Sequence, residues 1–234
     1  MAAIDGPRLN AKSGAAKQLV IFLHGYGADG NDLIEIGRQW RALLPDADFV
    51  SPHAPERCSM SPAGRQWFPL TMRDPDERWR GVVAARPTLD AFIDAELEKR
   101  GLDERSLALV GFSQGTMLAL HTGLRRERPL RAILGYSGLL VTGPGQPGEE
   151  LPGHLRRAEQ QPAILLVHGD RDPLIPVEAL VLSIDVIGEM GLSAQWHISA
   201  GLEHGIDNAG LIHGGLFLAQ SFGVPVDLAR LVRG

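Results

Sequence analysis

Residues 111–115 read Gly-Phe-Ser-Gln-Gly and lie between two apolar runs of different length. Upstream, 106–110 (S-L-A-L-V) has the length and continuity of a buried strand; downstream, 116–124 (T-M-L-A-L-H-T-G-L) is a helical run. A G-x-S-x-G at a strand-to-helix turn is a nucleophile elbow. The turn is so sharp that its serine needs a strained backbone, and a side chain on Gly111 or Gly115 would collide with neighbouring atoms. Such a turn lifts the Ser113 hydroxyl clear of the sheet, and the helix N-terminus behind it favours nearby negative charge. The chemistry is nucleophilic attack on a carbonyl carbon. The simpler alternative is a glycine-rich turn whose serine caps the helix.

A serine hydroxyl is a weak nucleophile until a base takes its proton, and the base works best when a carboxylate orients it. On an elbow of this kind the partners follow in the order Asp or Glu, then His. Downstream, the apolar run 164–167 opens into His168-Gly169-Asp170-Arg171-Asp172-Pro173. Asp172 is the expected orienting carboxylate and Asp170 its rival, with bracing the turn through backbone N–H groups as the simpler role for Asp170. The next apolar run leads to Gly201-Leu202-Glu203-His204-Gly205, where His204 sits in a short glycine-flanked loop before the last helical run. His204 is the expected base. His197, inside a strand, and His213, inside a helix, are more simply packing or surface residues.

Negative charge developing on the carbonyl oxygen needs two backbone N–H donors. Gln114, directly after the serine, supplies one. The loop after the early strand Val20-Ile21-Phe22-Leu23, which begins His24-Gly25-Tyr26-Gly27, supplies the other through Tyr26, with His24 holding the loop. Gly25 to Gly30 also matches G-x-G-x-x-G, the dinucleotide fingerprint, but the acidic residue required at the end of the second strand is replaced by Pro52-His53. Asp29 and Asn31 read instead as helix caps. His24, His53, His168 and His204 with Asp170 and Asp172 show no metal-ligand spacing, and Cys58 has no cysteine partner, so no catalytic metal is expected.

These residues need a frame that alternates strand and helix. Strands are predicted at 18–23, 48–51, 106–110, 131–136, 163–167 and 194–198, several of them continuous apolar runs suited to parallel strands covered on both faces. Helices are predicted at 32–43, 82–100, 114–125, 177–190 and 208–222. The order gives an α/β fold with a mostly parallel central sheet and helices on both faces. At 234 residues without a break in composition, residues 1–234 are expected to form a single domain. Two irregular stretches interrupt it. Residues 52–81 carry Trp67, Phe68, Leu70, Met72 and Trp79 and are read as a pocket wall, with a small hairpin packed on the core as the simpler alternative; residues 139–161, rich in Gly and Pro, are read as a solvated excursion.

A net charge of −5 gives no electrostatic footprint for nucleic acid. No run approaches the ~18 apolar residues that span a membrane, so no stable membrane insertion is expected. Residues 1–14 lack an apolar stretch of signal-peptide length and the one cysteine excludes an internal disulfide, from which a cytoplasmic location is expected.

With these pieces in place, the chain resembles the small carboxylesterase, phospholipase and acyl-protein thioesterase family of α/β-hydrolases. The matching segments are Phe22-Leu23-His24-Gly25-Tyr26-Gly27, Ser51-Pro52-His53-Ala54-Pro55, Trp67-Phe68, the elbow, His168 to Pro173, and Glu203-His204-Gly205. The resemblance implies the α/β-hydrolase fold and a cofactor-free serine hydrolase acting on a small-molecule ester, with lysophospholipids and protein thioesters as further substrate classes. It implies Ser113, Asp172 and His204 as a triad, Tyr26 and Gln114 as oxyanion donors, and Trp67 and Phe68, with Leu70 in the same loop, as the border of the acyl site. A homodimer is an expectation that the resemblance alone carries. Tyr26 and Thr116 depart from it, standing where leucine and glycine are usual. The reading from a different class is a hydrolase-like binding protein without catalysis.

Overall fold

The computed structural model describes residues 4–71, 74, 76–143 and 151–226. Its centre is a seven-stranded sheet of β1 (Arg8–Leu9), β2 (Gln18–Leu23), β3 (Ala47–Val50), β6 (Leu107–Phe112), β7 (Ala132–Tyr136), β8 (Ala163–Gly169) and β9 (Gln195–Ser199), and β4 (Glu56–Arg57) and β5 (Arg65–Gln66) form a separate hairpin. The spatial order is β1-β3-β2-β6-β7-β8-β9, with every pairing parallel except that of β1 with β3. Residues 107 to 110 thus belong to the central strand, flanked on both sides and fully buried, which is why they read as a continuous apolar run; Ser106, placed in the predicted strand, ends the preceding turn instead.

Alternate residues of each strand feed two cores. Leu19, Ile21 and Leu23 of β2 pack with α2 (Glu77–Arg100), α3 (Gln114–Gly123) and α4 (Glu178–Glu189) on one face. Val20 and Phe22 pack with α1 (Gly30–Trp40) and α5 (Asn208–Ser221) on the other. Helices therefore cover both faces, as parallel crossovers require.

Helix α1 begins at Gly30, two residues earlier than predicted, because the Asp29 carboxylate accepts the Asn31 N–H at 2.8 Å and caps it. Helix α2 begins at Glu77, five residues ahead of its apolar pattern. Part of 139–161 is not solvated: Leu140, Val141 and Leu155 are buried in the core, and Ser183 Oγ accepts the Leu140 N–H at 2.9 Å. Residues 144–150 of that stretch, and Met72 of the aromatic one, lie outside the described residues. Among the described residues no helix is long and apolar enough to cross a membrane.

Candidate active site

The elbow is built by close approach. A Cβ on Gly115 would stand 1.8 Å from the Leu23 carbonyl oxygen, and one on Gly111 2.4 Å from the Thr116 nitrogen. Between them Ser113 takes φ 53° and ψ −114°, a conformation that L side chains rarely adopt. The Tyr136 carbonyl at the end of β7 pins it, accepting both the Ser113 N–H and the Thr116 hydroxyl at 2.9 Å. That second bond gives the departure at Thr116 a structural role. Ser113 does not cap α3 through its side chain, so the capping alternative fails.

Asp172 and His204 are brought together by two loops at the C-terminal edge of the sheet. The Asp172 side chain is fully buried after β8; its Oδ1 accepts the N–H groups of Leu174 and Ile175, both at 2.9 Å, and its Oδ2 lies 2.7 Å from His204 Nδ1. Burial alone would raise the carboxyl pKa, but the Ile175 N–H, the imidazole and the Leu174 N–H outweigh it and hold the group below the usual carboxylate value. Asp170 is exposed and its Oδ1 accepts the Gly201 N–H at 2.6 Å, tying the β8 turn to the loop after β9. The His204 loop is fixed further by Arg171 N–H to the Leu202 carbonyl (3.0 Å) and by Ser137 Oγ to the Gly205 carbonyl (2.9 Å). Ser137, at φ 44°, is a positioning residue that no sequence motif marks. The Phe112 ring lies 5.0 Å from the His204 ring.

Tyr26 and Gln114 flank the serine. Neither backbone N–H has an acceptor among the described residues; Tyr26 lines the cavity that also holds Ser113, and Gln114 follows Ser113 directly in the chain. His24 holds the first loop as expected. Its Nε2 accepts the Ala54 N–H at 3.0 Å, so its protonated Nδ1 donates to the Gly25 carbonyl at 2.8 Å. Burial pushes its pKa down to about 4, so it is neutral at pH 7. The glycines of the dinucleotide-like run answer to packing, since a Cβ on Gly30 would stand 2.1 Å from the Ser51 carbonyl oxygen.

Ser113, His204 and Tyr26 open on one cavity of about 530 Å³, walled also by Met60, Leu70, Met117, Leu174 and Ile175. Leu70 lies in the wall as expected, but Trp67 and Phe68 do not line this cavity: each is 2% exposed and packed in the core. Trp67 donates its N–H to Gln114 Oε1 (2.9 Å) and its indole N–H to the His24 carbonyl (2.9 Å), and Gln114 Nε2 donates to the Phe68 carbonyl (2.8 Å). The two aromatics lock the floor of the site rather than its wall. Met117 and Leu174, which do line it, were hidden in sequence among ordinary apolar residues. Among the described residues no three His, Cys, Asp or Glu side chains gather as metal ligands.

A parallel sheet with a strained serine after its central strand and an Asp–His pair at the same edge defines an α/β-hydrolase. The chain belongs to the phospholipase/carboxylesterase family, whose model matches residues 5–220. It is 30% identical to the esterase YpfH of Escherichia coli K12 over 194 residues, covering 82% of this chain and 78% of that protein. The crystal structure of esterase PE8 superposes with a TM-score of 0.86 at 42% identity, covering 94% of this chain and 99% of that one. Acyl-protein thioesterase 2 of Zea mays shares the fold at 22% identity and a TM-score of 0.71, covering 93% of this chain and 98% of that one.

Proposed function

We propose that this chain is a serine carboxylesterase that hydrolyses short to medium acyl esters through an acyl-enzyme, with Ser113 as nucleophile, His204 as base and Asp172 as orienting carboxylate. The observation that carries the reading is the 2.7 Å contact of the buried Asp172 with Nδ1 of His204, a residue that lines the same cavity as Ser113. The carboxylate fixes the tautomer with the proton on Nδ1, leaving Nε2 as the base. Ser113 Oγ attacks the ester carbonyl while Nε2 takes its proton. The oxyanion gathers against the N–H groups of Tyr26 and Gln114, and the imidazolium, stabilised by Asp172, returns the proton to the departing alcohol. Water then repeats the sequence on the acyl-enzyme and frees the acid. The apolar wall of Leu70, Met117, Leu174 and Ile175 suits an aliphatic acyl chain, and two relatives bear the name esterase.

Hydrolysis of p-nitrophenyl esters from acetate to palmitate, by the wild type and Ser113→Ala, tests it. Activity peaking at one chain length, with kcat reduced on the order of 10⁶-fold in the variant, is expected if the triad acts as a unit. Turnover that is absent, or unchanged in Ser113→Ala, overturns the reading and favours the binding protein or another nucleophile.

A further inference from the structure

The wall of the Ser113 cavity contains one residue that the esterase reading leaves without a task. Arg78 lines the cavity together with Leu70, Thr71, Met117, Ser113 and His204. It is half-buried, and it has no hydrogen-bond or ion-pair partner among the described residues. Other arginines of the same region are engaged: Arg80 with Asp74, Arg86 with Asp90, and Arg126 with Asp90 and Asp94. Of the carboxylates nearest in sequence, Asp76 is exposed and pairs with no arginine among the described residues, while the other two are engaged. Asp74 pairs with Arg80, and Glu77 Oε2 accepts the Thr71 N–H and hydroxyl at 2.8 and 2.6 Å. Arg78 also stands in the first turn of α2, where the helix dipole disfavours a cation. Neither helix stability nor a local ion pair accounts for it, and none of the described residues lining the cavity is acidic.

A guanidinium on the wall of a mostly apolar cavity that holds no carboxylate among its described lining residues is suited to an anionic group. Arg78 shares the cavity wall with Leu70, Thr71 and Met117, so an acyl chain lying on them brings its far end to the guanidinium. We propose that Arg78 is a specificity residue for acyl groups ending in a carboxylate, that is, for half-esters of dicarboxylic acids, which would lie with their methylenes on Leu70 and Met117. This inference rests on the serine esterase reading and specifies its substrate class.

The test compares the p-nitrophenyl half-ester of adipic acid with its neutral methyl ester, in the wild type, Arg78→Gln and Arg78→Lys. The ratio of kcat/KM for the acid over the methyl ester is expected to fall about tenfold or more in Arg78→Gln, the loss of a charge-assisted hydrogen bond. The fall is expected in KM rather than kcat, with partial recovery in Arg78→Lys and a weaker preference at high salt. A ratio unchanged in Arg78→Gln, or an equal loss for both esters, overturns the inference while leaving the esterase reading intact. Failure of the wild type to hydrolyse either ester faster than Ser113→Ala overturns both.

Discussion

The floor and the wall of the cavity are built by opposite means. Below Ser113, Gln114 is fully buried and its side-chain amide bridges the Trp67 N–H and the Phe68 carbonyl, while His24 joins Gly25 to Ala54. Along the wall and rim, Met60 is 80% and Leu174 62% exposed, and their side chains make no polar contact. Buried polar bonds are directional and costly to leave unmade, so they fix atoms. Exposed apolar side chains only fill space and can be exchanged cheaply. The difference assigns the placing of the chemistry to the floor and its choice of substrate to the wall.

The largest effect that sharpens this division, after loss of the nucleophile itself, comes from the two aspartates of the β8 turn. Both accept backbone N–H groups, but Asp172 also touches His204 and Asp170 does not. Asp172→Asn keeps an acceptor for Leu174 and Ile175 yet can present an N–H to Nδ1, favouring the wrong tautomer. A loss of about 10⁴ in kcat is expected by analogy with other triads, against a few-fold change for Asp170→Asn. Steady-state kinetics of the two variants decides it, and the reverse ranking would move the carboxylate role to Asp170.

Two buried histidines, His24 in the floor and His121 away from it against Trp79, tie stability to pH. Burial holds His24 down to about 4, and burial together with the charges of Arg125 and Arg86 holds His121, on α3, down to about 3, against an ordinary 6.5. The unfolded chain takes up protons near 6.5 and the native imidazoles do not until well below. Stability from these groups is therefore fully present above pH 6.5 and lost as the pH falls toward 4. Each histidine removes about 2 kcal/mol by pH 5. Urea unfolding at about pH 7.5 and about pH 5 measures it; His121→Gln should remove roughly half of the slope. A flat profile would mean that these rings are not buried neutral.

What was legible in the sequence follows the same division. The elbow glycines, the loop of His24 and the order Ser113, Asp172, His204 could be read because atoms held by backbone approach and buried bonds tolerate few residue types. In sequence Trp67 and Phe68 look like wall, because an aromatic residue signals burial without saying on which side of a loop it lies; the bonds of Gln114 turn both inward. Met117 and Leu174 were invisible as wall, since an apolar residue in a helix or turn looks the same wherever it faces. Strand β1, two residues long, has no period to detect and exists through its pairing with β3. The start of α2 at Glu77 is not legible in sequence because its first turn, Glu-Arg-Trp-Arg, carries no apolar period.

The smallest effects contrast one residue from each region. Gln114→Ala leaves the Trp67 N–H and the Phe68 carbonyl buried without their partner. At about 1–3 kcal/mol for each orphaned group, it should lose roughly 3 kcal/mol of stability and let the elbow drift. Leu174→Ala removes a side chain that is mostly in water already, so stability should change by no more than about 0.5 kcal/mol. Its effect belongs to selectivity: the preferred p-nitrophenyl ester should shift along the chain-length series, with kcat/KM for any one ester changing by less than about tenfold. Unfolding curves and chain-length profiles of both variants separate the two roles. If Leu174→Ala instead lowers kcat equally for every ester, the wall helps to hold His204 and Asp172 in place, through the turn in which Asp172 binds the Leu174 N–H. In that event the division between floor and wall stops at residue 174, and Leu70 and Met117 alone remain as the surface that chooses the acyl chain.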